Sequence, residues 1–274
     1  MTHALGRLHD VDGAAWILLT ALLLGGAIVA TALGGPPDAL DWQPRLGLRE
    51  PWRLWSCAWV HWSGAHLAVN LIGGLVVGLI GWRAGVPASA ALAWFVAWPL
   101  THLLMALPGP DAIAHAMQHY GGLSGVLHAG VVVLGLTLAW PLARTRACAP
   151  TPDAPARDAA GDAATRASAI EPSRITEGPW AMTEMGAVTA IPASTLDQRP
   201  AGPVVLHTRP LRERWIGVAI VAGTLVKVVF ESPWNLAPRA SDALGIAVAP
   251  VAHACGIVAG VVAWIAARAV VRGR

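Results

Sequence analysis

Ser124, His66, Asn70, His128 and His253 are the residues of this 274-residue chain whose types and spacing could do chemistry. A serine hydroxyl is a poor nucleophile until a base takes its proton, and an imidazole is the usual base. Ser124 lies in Gly121-Gly122-Leu123-Ser124-Gly125, and His128 follows on the same helix face. His66 and Asn70 have the same spacing, so both can donate hydrogen bonds into one spot, as a developing oxyanion requires. The backbone N–H of Ser124, near a helix N-terminus, adds a third donor. His253 precedes Gly256 and Gly260, a GxxxG pair that lets another helix approach closely. Packed against Gly125, these glycines would bring His253 within reach of Ser124 as its general base. No Asp or Glu lies near His253 in the sequence, so a Ser–His dyad is expected rather than a triad.

Taken singly, each group has a plainer reading. Small residues around a serine commonly serve helix packing, and a buried histidine commonly bonds a carbonyl. Lys227 and Glu231 read as an i,i+4 helix ion pair that screens its own charge. His61 and His119 read as interfacial and solvated, and the sequence suggests no partner for His102 or His115. The His61–His66 spacing of five suits one helix face poorly, which disfavours a metal site, and no cofactor is expected. The conjunction of serine, two histidines and asparagine carries the expectation.

The elements that must position these groups are set by composition. The chain is 55% hydrophobic and only 13% charged, too apolar to cover a globule with polar groups, so its solvent is largely lipid. That excludes a soluble enzyme, a disordered regulator and a disulfide-stapled secreted domain. The net charge of +3 implies no basic stripe and no nucleic-acid partner. Stretches of about 17–25 apolar residues can cross a bilayer as helices. Six are expected, over about 16–33, 59–82, 88–107, 122–142, 215–231 and 246–270. The expected fold is therefore an all-α polytopic membrane protein. Residues 1–142 would form the first four helices and 215–274 the last two, completing the same domain.

Between them, 143–214 is rich in Pro, Ala, Thr, Asp and Arg without apolar periodicity, and reads as a disordered insertion. An even number of spans puts both termini on one side. Most of the arginines fall on that side, which makes it cytoplasmic. Ser124, His66 and His253 would then all lie in the outer part of their helices.

These residues resemble a known family, the rhomboid intramembrane serine proteases. Glu50-Pro51-Trp52-Arg53, His61 and His66-Leu67-Ala68-Val69-Asn70 are similar to that family's WR turn and HxxxxHxxxN signature. Gly122-Leu123-Ser124-Gly125 is similar to its GxSG motif, and the segment from His253 through Gly256 to Gly260 to its HxxGxxxG motif. The similarity runs from about Glu50 to Ala267, apart from the insertion. Gly122 to His128, with Lys227 and Glu231, most resembles the rhombosortase branch.

The resemblance implies a six-transmembrane-helix rhomboid-like bundle in a bacterial inner membrane. Ser124 would be the nucleophile, His253 the general base, and His66 with Asn70 the oxyanion stabilisers. Gly122, Gly125, Gly256 and Gly260 would serve packing. His128 would support the base, where many rhomboids place a Tyr on the catalytic His. The implied substrates are single-span exported proteins, which lose a GlyGly-type C-terminal sorting tail containing an apolar span and a basic cluster. A general rhomboid protease cutting other single-span proteins, or an inactive rhomboid-like membrane chaperone, would share the fold. A transporter would need a continuous polar face that the spans lack.

Overall fold

The computed structural model describes residues 2–34, 37–46, 48–142 and 210–272. Most of the expected insertion, 143–209, lies outside the described residues. The described part is mostly helical. In chain order it contains α1 (Thr2–Ala32), α2 (Arg53–Ser56), α3 (Gly64–Arg83), α4 (Ala88–Met105), α5 (Pro110–Ala116), α6 (Ser124–Ala139), α7 (Leu211–Phe230) and α8 (Pro250–Arg272). A two-stranded antiparallel hairpin, β1 (Arg239–Ser241) and β2 (Ile246–Val248), precedes α8.

Four segments are long and apolar enough to cross a membrane, namely Gly13–Ala32, Gly64–Arg83, Ala88–Met105 and Pro250–Arg272. All six expected segments contain helix, but two are not among these four. One is α6, with 16 residues. At about 1.5 Å rise per residue it falls short of a roughly 30 Å hydrocarbon core. Most of its side chains are buried by protein. The other is α7, long enough at 20 residues but carrying Arg212, Glu213, Arg214 and Lys227.

Several boundaries differ from the expectation: α1 starts at Thr2, α6 ends at Ala139, and α7 starts at Leu211, within the expected insertion. The second helix starts at Gly64, so His61 lies in the turn before it, and Ser63 caps it by accepting the His66 N–H at 3.0 Å. The last helix starts at Pro250, and Ile246–Val248, expected to be helical, forms β2. Pro favours the first helical position and disfavours helical backbone just before it, which leaves the β-branched residues to the hairpin. Among the described residues the fold is thus all-α except for this hairpin.

Helix α6 lies at the centre and packs on α3, α4, α7 and α8, while α1 closes the far side against α3 and α4. Large indoles fill the core, and three of them find a backbone acceptor for the N–H. Trp16 donates to Val77 O at 3.1 Å, Trp94 to Val126 O at 2.8 Å and Trp98 to Trp55 O at 3.1 Å. Gly81 makes room for the Trp16 ring and Gly130 for that of Trp94. Facing outward are Val69, Ile72 and Leu75 of α3, Leu92 and Val96 of α4, and Val262 and Ile265 of α8, all exposed. Apolar surface on this scale suits hydrocarbon rather than water.

Arg53 braces the connection from α1 to α3. Its Nη1 donates to Asp38 O at 2.7 Å and to Asp41 O at 2.6 Å, and its Nε to Glu50 Oε2 at 2.6 Å. Backbone bonds join Trp42 to Tyr120 in both directions, and Gly122 N–H donates to Cys57 O at 2.9 Å. The turn that leads into Ser124 is therefore tied to the segment that leads into α3.

Candidate functional site

Ser124 is the first residue of α6, His66 lies in the first turn of α3, and His253 lies in the first turn of α8. All three sit at helix N-termini, where unpaired backbone N–H groups and the helix dipole favour negative charge. Ser124, His66, Asn70, His128, His253 and Glu231 all line one cavity of about 980 Å³. Strands β1 and β2 form part of its wall.

Glycines set the separations. Gly122 adopts φ +122°, a conformation that favours glycine, and a β-carbon there would come within 2.6 Å of His66 Cε1 and 2.8 Å of Nε2. The His66 ring thus lies directly on the turn before Ser124, with Asn70 Nδ2 beside it. On the other side, a β-carbon on Gly256 would collide with the Gly125 carbonyl, and one on Gly260 would come within 2.7 Å of Ala129 O. Because these obstacles are backbone, α6 and α8 could not approach so closely with larger residues.

Hydrogen bonds define the tautomers of the site, as assigned from their partners. His61 Nδ1 lies 3.2 Å from Trp59 O and donates to it, which leaves Nε2 to accept from Asn70 Nδ2 at 3.1 Å. Burial holds the His61 imidazole below its ordinary pKa, consistent with this neutral form. His61, expected to be solvated, instead fixes the Asn70 amide, and its ring lies against that of His66 with centroids 4.7 Å apart and planes tilted by 53°. His128 donates from Nδ1 to Ser124 O at 2.6 Å. Its ring stacks on that of His253 with centroids 4.2 Å apart and planes 17° apart.

The residue that sequence reasoning missed at His253 is Glu231. Its Oε2 lies 2.6 Å from His253 Nδ1, although the two are 22 positions apart. The expectation that nothing orients His253 is therefore corrected: α7 ends at Phe230 and delivers the next residue, Glu231, to the start of α8. A separation of 22 carries no helical signal, and only the packing of the elements reveals the contact. Glu231 also takes the expected bond from Lys227, at 2.5 Å. The Nε2 atom of His253 is buried and makes no hydrogen bond.

His102, His115 and His119 also have partners. His102, fully buried, donates from Nδ1 to Leu54 O at 2.6 Å, so it secures α2 to α4. His115 Nδ1 lies 3.1 Å from Asp111 O on its own short helix. His119 Nδ1 lies 2.6 Å from Asp41 Oδ2, and its side chain is half-exposed.

No family model, no curated protein and no solved structure matches the chain.

Proposed function

We propose that the protein is an intramembrane serine endopeptidase of the rhomboid kind. Six of its helices, α1, α3, α4, α6, α7 and α8, lie in a bacterial inner membrane with both termini in the cytoplasm. Its substrates are single-span exported proteins, and it removes their GlyGly-type C-terminal sorting tail. The observation that carries this reading is the convergence of Ser124 with an unpartnered, buried imidazole nitrogen, His253 Nε2, and two donor side chains, at three helix N-termini in one cavity.

In the reaction, His253 Nε2 takes the Ser124 hydroxyl proton as Oγ bonds to the scissile carbonyl carbon, whose π electrons move to oxygen. His66, Asn70 and the Ser124 backbone N–H stabilise that oxyanion, and the positive end of the α6 dipole adds to them. Collapse of the intermediate breaks the C–N bond, and His253 passes its proton to the departing amine. Water, deprotonated by the same imidazole, then hydrolyses the ester and restores Ser124. In the resting site His253 makes no bond through Nε2, and the Ser–His contact tightens with substrate present.

A serine-reactive fluorophosphonate tests the chemistry directly. The wild-type chain is expected to be labelled at Ser124, and both Ser124→Ala and His253→Ala are expected to abolish labelling. Undiminished labelling of either variant rejects the pair, and a wild-type chain that resists labelling is the behaviour of an inactive membrane chaperone.

A further inference from the structure

The hydrogen bonds around His253 form a chain of four contacts across three helices. The Ser124 carbonyl accepts from His128 Nδ1 at 2.6 Å, and His128 Nε2 lies 3.2 Å from Lys227 Nζ. Lys227 Nζ donates to Glu231 Oε1 at 2.5 Å, and His253 Nδ1 meets Glu231 Oε2 at 2.6 Å. Donor and acceptor types allow one assignment. A carbonyl only accepts and an ammonium only donates, so His128 is neutral with its proton on Nδ1. An ionised carboxylate also only accepts, so His253 carries its proton on Nδ1 and keeps the Nε2 lone pair free. His253 Nε2 is buried and has no hydrogen-bond partner.

We infer that Glu231 is a positioning residue for His253, so that the site works as a Ser124–His253–Glu231 triad held on its far side by Lys227 and His128. This inference rests on the protease reading and goes beyond the dyad that the sequence suggests. Glu231 has two tasks. Accepting from Nδ1–H, it fixes the tautomer that leaves Nε2 free to act as a base, and the orientation of the ring. When Nε2 takes the serine proton, the carboxylate faces the resulting imidazolium and stabilises it without taking the proton. Lys227 occupies the other carboxylate oxygen, so Glu231 cannot rotate away from His253 without losing an ion pair. His128 adds a stacked face that limits tilting of the His253 ring.

The test uses the full chain in detergent micelles, with Glu231→Gln, His253→Ala, Ser124→Ala and the Glu231→Gln/His253→Ala double variant. Kinetics are read on a reporter peptide bearing the tail. Replacing the carboxylate by an amide keeps the shape but lets the neutral tautomer flip. Glu231→Gln is expected to lower kcat and the rate of phosphonate labelling by about 10²–10⁴-fold with KM little changed. In the His253→Ala background the same change is expected to have no further effect, because residues that act as a unit are not additive. Independently of turnover, the wild type and Ser124→Ala are expected to show a far-downfield imidazole N–H proton resonance that is missing from Glu231→Gln and His253→Ala.

Wild-type kinetics in Glu231→Gln, an additive loss in the double variant, or a downfield resonance that survives Glu231→Gln would each overturn the triad. Failure of the protease reading looks different: the wild type would neither cleave the reporter nor be labelled, or Ser124→Ala would retain wild-type turnover, while the imidazole resonance would still report the Glu231–His253 contact.

Discussion

At the scale of single residues, the site depends on which atoms are left free. His66 lies against the turn preceding Ser124, and Asn70 has one amide hydrogen engaged by His61 and another available. If both serve the oxyanion, His66→Ala and Asn70→Ala are each expected to lower kcat by about 10²–10³-fold while the chain stays folded. Turnover assays beside thermal unfolding curves check this, and wild-type kcat in both variants would remove the role. The pairs His66 with Asn70 and Ser124 with His128 were legible in the sequence because each lies within one helical turn. The link from Glu231 to His253 was not, because it joins the end of one helix to the start of another. His61 was misread for a related reason: its acceptor role depends on a turn ahead of α3 that apolar patterning merges with the helix.

Helices and glycines decide whether those residues meet. The approach of α6 to α8 rests on Gly125, Gly256 and Gly260, and the obstacle to a larger residue at Gly256 is the Gly125 carbonyl, which cannot rotate aside. Gly256→Val is expected to destabilise the bundle by about 1–3 kcal/mol, measured by denaturant or thermal unfolding in detergent. It is also expected to reduce Ser124 labelling in whatever fraction remains folded, since the helix that carries His253 is pushed away. A variant with unchanged stability and labelling would show that this contact does not set the geometry. Here the sequence was informative, because small residues at GxxxG spacing announce close packing. It was less so at Ile246–Val248, where an apolar run adjoining the last helix concealed a strand ended by Pro250. It was also less so for α6, whose apolar character reflects burial in the centre of the bundle rather than length across a bilayer.

At the scale of the molecule, many apolar side chains among the described residues face outward, while Ser124, His66, Asn70, His128, Glu231 and His253 gather in one cavity. The cavity wall includes Val69, Val76, Leu127 and Val131 as well as the titratable groups. An apolar tail could therefore stay in an apolar setting while an adjoining peptide bond reaches Ser124. On the proposed protease reading, water is needed only at the hydrolytic step, and an outer-leaflet position of Ser124 would supply it. The most direct measurement is co-expression of the chain with a secreted reporter bearing a GlyGly-type C-terminal tail, followed by mass spectrometry of the reporter's new C-terminus. Expected is a reporter shortened at the tail with wild-type protein and left whole with Ser124→Ala; a reporter cut equally in both would contradict the assignment.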